Sequence, residues 1–158
     1  MLGQVPPGPP TVTLVGAMCL AVYIASDQPL PLVHWSPTDP GFYVRPVDEM
    51  DNGVGEIFSV PFVYYAGSHE GCGDGFEFGR EPAQSVEDQD RERKGRASVE
   101  RLASYLRDAS QLGQVHVYAR WADDPVPPNG QPAALRLGEM TGRKFWFEDN
   151  RLHVVQAD

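Results

Sequence analysis

Apolar residues fall into short runs separated by turn-forming residues, and their spacing changes character along the chain. The run Met18-Cys19-Leu20-Ala21-Val22-Tyr23-Ile24-Ala25 is nearly continuous and rich in β-branched and aromatic side chains. Ser26-Asp27-Gln28-Pro29 stops it, so it predicts a buried strand. Residues 42–47 and 62–66 predict two more strands, the first kept near a sheet edge or a strand end by Pro46. Residues 48–58 give no clear assignment: Gly53 and Gly55 weaken a helix, while Ile57 and Phe58 ask for burial. Val99, Leu102, Ala103, Leu106 and Ala109 recur at helical spacing. With Ser98 as N-cap and Gly113 as stop, they predict a helix over 99–112. Residues 81–96 are so highly charged that they read as a solvated loop or an exposed helix face.

The last third is β in character. Val115, Val117, Ala119 and Trp121 alternate with His116, Tyr118 and Arg120, the period of a half-buried strand. That pattern places His116 toward solvent, and His153 likewise on a later strand. Residues 134–137 predict a short strand, and 144–148 with 151–155 a hairpin about Asp149-Asn150. The proline-rich stretch 123–132 is a loop, and Asp123-Asp124 within it is a turn rather than an acid/base pair. Together these elements predict an α+β fold: a mixed or mostly antiparallel sheet with one main helix packed on a face. Residues 1–17, rich in Pro and Gly, read as an extension to a single domain over 18–158.

Composition narrows the partners. A chain of 158 residues with 41% apolar residues can bury one real core. A net charge of -9 repels phosphate backbones and anionic lipid, so neither nucleic acid nor a membrane surface is expected, whereas a basic protein partner fits. The apolar run 12–25 is too short for a bilayer and is broken by Gly16, and no basic stretch opens the chain. With two cysteines, too few for a disulfide framework, the expected setting is a reducing cytoplasm.

Candidate chemistry concentrates in Gly67-Ser68-His69-Glu70-Gly71-Cys72-Gly73-Asp74-Gly75. No Gly-Lys-Ser/Thr follows, and the spacing is wrong for a dinucleotide fingerprint, so a phosphate cradle is not expected. His69 and Cys72 are separated by two residues, which lets both reach one ion from a tight turn. Adding Asp74 and a second thiolate from Cys19 would complete a tetrahedral set suited to zinc rather than magnesium. Three readings compete with this structural or regulatory zinc site. In the plainest, the glycines make a structural turn and both thiols pack as small apolar groups. In the second, Cys72 is a nucleophile paired with His69, glycine N–H groups supplying an oxyanion site. In the third, the domain is an acidic, non-catalytic adaptor or immunity-like protein. The remaining aromatic and basic candidates are bland: His34 lies in a proline-rich loop, and Trp35, Trp121 and Trp146 read as core or rim residues.

The stretch Met18-Cys19, Tyr23-Ile24-Ala25-Ser26-Asp27 and Pro29-Leu30-Pro31, with Tyr64-Tyr65-Ala66 and the glycine segment through Phe76, resembles a group of uncharacterised bacterial proteins. Ser98-Val99-Glu100-Arg101-Leu102 and Tyr118-Ala119-Arg120-Trp121 extend the likeness over most of 18–156. The resemblance implies a start near Met18 and brings no activity. In that group a second cysteine stands where this chain has Asp74. The implied site is three thiolates and one imidazole, and Asp74 makes the version here harder and weaker.

Overall fold

A computed structural model describes residues 19–48, 51, 53–121, 128 and 131–157; the extension 1–17 and most of the loop 123–132, with Asp123-Asp124, lie outside them. The strands are β1 (Leu20–Ser26), β2 (Phe42–Pro46), β3 (Phe62–Ser68), β4 (Val115–Trp121), β5 (Ala133–Arg136) and β6 (Arg151–Gln156). They form one sheet in the order β2-β3-β1-β4-β6-β5. Every pairing is antiparallel except β5 with β6. The main helix, α1 (Val86–Ser110), packs on this sheet, and a single turn, α2 (Leu137–Met140), follows β5. The architecture is α+β with a mixed, mostly antiparallel sheet, as the periodicities imply.

Alternation along the strands sorts side chains to two faces. Val22 and Ile24, Phe42 and Val44, Tyr64 and Ala66, and Val115, Val117 and Ala119 pack with Val99, Leu102, Ala103, Leu106 and Ala109 of α1 in the larger core. The opposite face is also covered. Tyr23, Tyr43, Tyr65 and Tyr118 pack there with Val54, Phe58 and Val60, from the segment that sequence left unassigned and that carries a short 3-10 turn, Val54–Glu56. A polar knot closes this layer: buried Asp51 accepts hydrogen bonds from Tyr23 Oη (2.9 Å), Arg45 Nη1 (3.1 Å) and the Asp48 N–H (2.9 Å).

Three expectations are corrected. The helix starts at Val86, capped by Ser85 Oγ accepting from the Asp88 N–H at 3.0 Å, rather than at Ser98. The charged run continues as an exposed helix face, with Arg91–Asp88, Arg93–Asp90 and Lys94–Asp90 pairs one turn apart. Residues 144–148 do not pair as a hairpin with β6. Phe145 makes an isolated bridge to Phe78, and its ring meets that of Phe147 edge-on at 4.9 Å, so the alternation there reflects plugs in the core. His116 and His153 do not face solvent; they are 4% and 7% exposed, because both faces of the sheet are covered.

Two outcomes follow from this packing. Replacing Gly95 of α1 with alanine would by propensity stabilise the helix by about 1 kcal/mol. The added Cβ, however, would lie 2.0 Å from the Glu77 carbonyl oxygen, and backbone cannot yield cheaply. Urea unfolding should therefore give Gly95→Ala a lower midpoint than the parent chain. Burial also holds both His116 and His153 below the usual value of 6.5, and neither ring nitrogen of His116 has a hydrogen-bond partner among the described residues. The unfolded chain takes up these protons first, so stability is full above pH 6.5 and drains as pH falls below it. Urea midpoints compared at about pH 7.5 and about pH 5.5 should drop, and His116→Gln should flatten the drop.

Candidate metal centre

The glycine segment is shaped by one hydroxyl. Ser68, the last residue of β3, is fully buried, and its Oγ donates to the Cys72 carbonyl while accepting the N–H groups of Glu70 (3.2 Å) and Gly75 (3.0 Å). Its own N–H bonds the same Cys72 carbonyl at 2.9 Å, and the Gly71 N–H bonds its carbonyl at 2.9 Å. The chain thus doubles back within four residues, with Gly71 at φ 86, a conformation that strains any residue bearing a Cβ. Tyr43 Oη, from β2, donates to the Gly71 carbonyl and pins the loop tip.

The remaining glycines are required by close approach. A Cβ at Gly73 would lie 2.6 Å from Val22 Cγ2 and 2.7 Å from the Leu20 carbonyl oxygen. One at Gly67 would enter the Tyr43 ring, and one at Gly75 would strike Ser68 Oγ and the His69 ring. The short 3-10 turn Gly73–Gly75 therefore lies directly against the start of β1, where Cys19 precedes Leu20. The glycines serve that contact; nothing about them requires a phosphate.

This contact brings together residues far apart in sequence. Sγ of Cys19, Sγ of Cys72 and a carboxylate oxygen of Asp74 lie within 4.8 Å of one another, a group that could hold a metal ion. Both cysteines are buried, free thiols. Asp74 is oriented by the Leu20 N–H, which donates to its Oδ1 at 2.8 Å, the kind of supporting bond that fixes a ligand's direction. His69 is not in this group. Its Nδ1 lies 2.8 Å from Ser98 Oγ and its Nε2 3.3 Å from Glu70 Oε1.

Ser98 is the residue that sequence reasoning misplaced: a helix cap on paper, it is the buried anchor of His69 in the middle of α1. The Ser98–His69–Glu70 string has the order of a nucleophile, a base and an orienting carboxylate. Ser98 is 1% exposed, however, and its hydroxyl donates to the Gly41 carbonyl at 3.2 Å, so no substrate can reach it. Ser68, which organises the loop, carried no signal beyond its place after a strand.

Electrostatics oppose a free thiolate. Burial is the largest cause pushing the Cys72 thiol well above its ordinary value; the Asp74 N–H pulls it back in part, while Cys19 and the Asp74 carboxylate charge add to the rise. His69 is held below 6.5, chiefly by burial, so it does not supply the imidazolium that an ion-paired nucleophile needs. A divalent cation would replace the thiol protons and relieve the crowding of Asp74 against sulfur.

A cleft of about 1040 Å3 adjoins the group, with Asp74, Leu20, Gly73, Trp121, Trp146 and Phe147 in its wall. Comparison with protein-family models, with curated proteins and with solved structures found no match. In metal-free, reduced Cys19→Ser protein, iodoacetamide should alkylate Cys72 at neutral pH many-fold more slowly than it alkylates free cysteine. Mass spectrometry over time measures this; a rate equal to the free amino acid would show an accessible, unshifted thiol.

Proposed function

We propose that this domain is a zinc-binding protein in which Cys19, Cys72 and Asp74 hold the ion as a structural or regulatory centre. The observation that carries the reading is the convergence of two sulfurs and a carboxylate within 4.8 Å from positions on either side of two strands. Two thiolates and one carboxylate suit zinc better than magnesium or calcium, which take all-oxygen shells. The bond from the Leu20 N–H to Asp74 supports it, since it fixes the direction in which the carboxylate would meet an ion. The turn itself supports it too: Ser68 and the tightly packed Gly73 and Gly75 hold the segment that carries Cys72 and Asp74 against the start of β1, beside Cys19.

The untagged full chain, purified with zinc and desalted, should retain about one zinc per molecule by elemental analysis. Cys72→Ala should abolish retention while leaving the far-ultraviolet circular dichroism unchanged, and Asp74→Ala should weaken it. A chelator should lower the melting temperature of the parent and not that of Cys72→Ala, because an ion bound only by the folded chain stabilises it by mass action. Parent protein without stoichiometric zinc would defeat the proposal.

The net charge of -9 favours a second reading, an acidic surface that docks a basic protein. Its marker is polylysine binding that vanishes in high salt and survives Cys72→Ala.

A further inference from the structure

Resting on the zinc reading above, we infer that the ion keeps one coordination position open to the neighbouring cleft, where an exchangeable neutral or cationic ligand binds. Among the described residues only three ligand atoms converge, one each from Cys19, Cys72 and Asp74. The residue best placed by sequence to be the fourth, His69, stands outside this group, its Nδ1 tied to Ser98 Oγ at 2.8 Å on α1. Zinc with three protein ligands fills its tetrahedron with water or substrate, whereas purely structural sites use four.

Burial gives the open position a direction. Cys19 and Cys72 are 8% and 5% exposed and take no part in the cleft wall, while Asp74 does. The thiols thus lie on the protein side of the ion and the carboxylate on the cleft side. The hydrogen bond from the Leu20 N–H to Oδ1 favours one-oxygen binding, so Asp74 fills one position rather than two.

Charge then selects the ligand. Glu70, Glu92, Glu148 and Asp149 line the cleft, and its two arginines are neutralised in place, Arg80 by Glu77 at 3.2 Å and Arg91 by Asp88 at 3.6 Å. Anionic ligands such as phosphate esters meet repulsion before they meet the ion. A neutral or positively charged molecule carrying one metal-coordinating donor meets none from these carboxylates, and Trp121 and Trp146 also line the cleft, the Trp146 ring already carrying Arg80 at 5.4 Å and Lys144 at 5.6 Å.

Cobalt(II) substituted into the full chain reads this out, since its thiolate charge-transfer band reports sulfur ligation and its d–d bands report coordination number. Imidazole and azide should each shift the d–d bands while the thiolate band persists. Azide should bind several-fold more tightly as sodium perchlorate rises from 0.01 M to 1 M, shrinking the Debye length from about 30 Å to about 3 Å, with imidazole little changed. A thiolate band with d–d bands inert to both ligands would mean a closed site, overturning this inference and leaving the zinc reading intact. Absence of the thiolate band would overturn the zinc reading itself. Azide binding that ignores or weakens with salt would overturn the charge selection.

Discussion

Everything distinctive in this molecule depends on the close approach of the Gly73–Gly75 turn to the first residues of β1. Two backbones meet there with no room for a side chain: a methyl at position 73 would sit 2.7 Å from the Leu20 carbonyl oxygen. That proximity lets the Leu20 N–H reach the Asp74 carboxylate and sets the two sulfurs beside each other. Ser68 holds the turn in shape, and β3 delivers Ser68 to the right place by pairing with β1 from Val22 opposite Ala66 through Ser26 opposite Phe62. Sheet register, loop closure and ligand convergence are one geometric chain.

The same turn is gripped from the other side. The Glu77 carbonyl passes so near Gly95 that α1 presses directly on the segment, and Ser98, one turn on, fixes His69. The glycine segment is therefore held between sheet and helix, with the N–H groups of His69, Glu70, Gly71 and Gly75 bonded within the protein. A glycine-rich sequence following a strand serves here as a packing device.

Much of the fold was legible along the chain. The apolar runs of β1 and β3, the alternation in β4 and the helical stripe from Val99 to Ala109 each correspond to a real element. Legibility failed where one pattern has two causes. Phe145 and Phe147 alternate because they plug a core, not because they lie in a ladder. Ser98 resembles a cap because it precedes the apolar stripe, yet the helix had already begun where charge pairs replace hydrophobic spacing. His116 seemed solvent-facing because alternation cannot tell a one-sided sheet from one covered on both faces, and the cover comes from the unpromising segment around Val54 and Phe58. At the site, the pairing of Cys19 with Cys72 could be posed from ligand chemistry, but the diversion of His69 to Ser98 depends on a contact with a helix 29 residues away.

The strand order has a consequence for how the chain acquires its shape. β1 lies between β3 and β4, and β4 in turn leans on β6, so the central strand is flanked only when the far end of the chain has arrived. Pairings such as Leu20 with Trp121 close very long loops, which slows folding relative to neighbour-to-neighbour topologies. During synthesis the N-terminal half carries an unflanked strand edge, the surface most prone to pair with another copy. Cys19, at the threshold of that strand, is set beside Cys72 and Asp74 by the β1–β3 pairing, so the sulfur pair depends on contacts made within the N-terminal half.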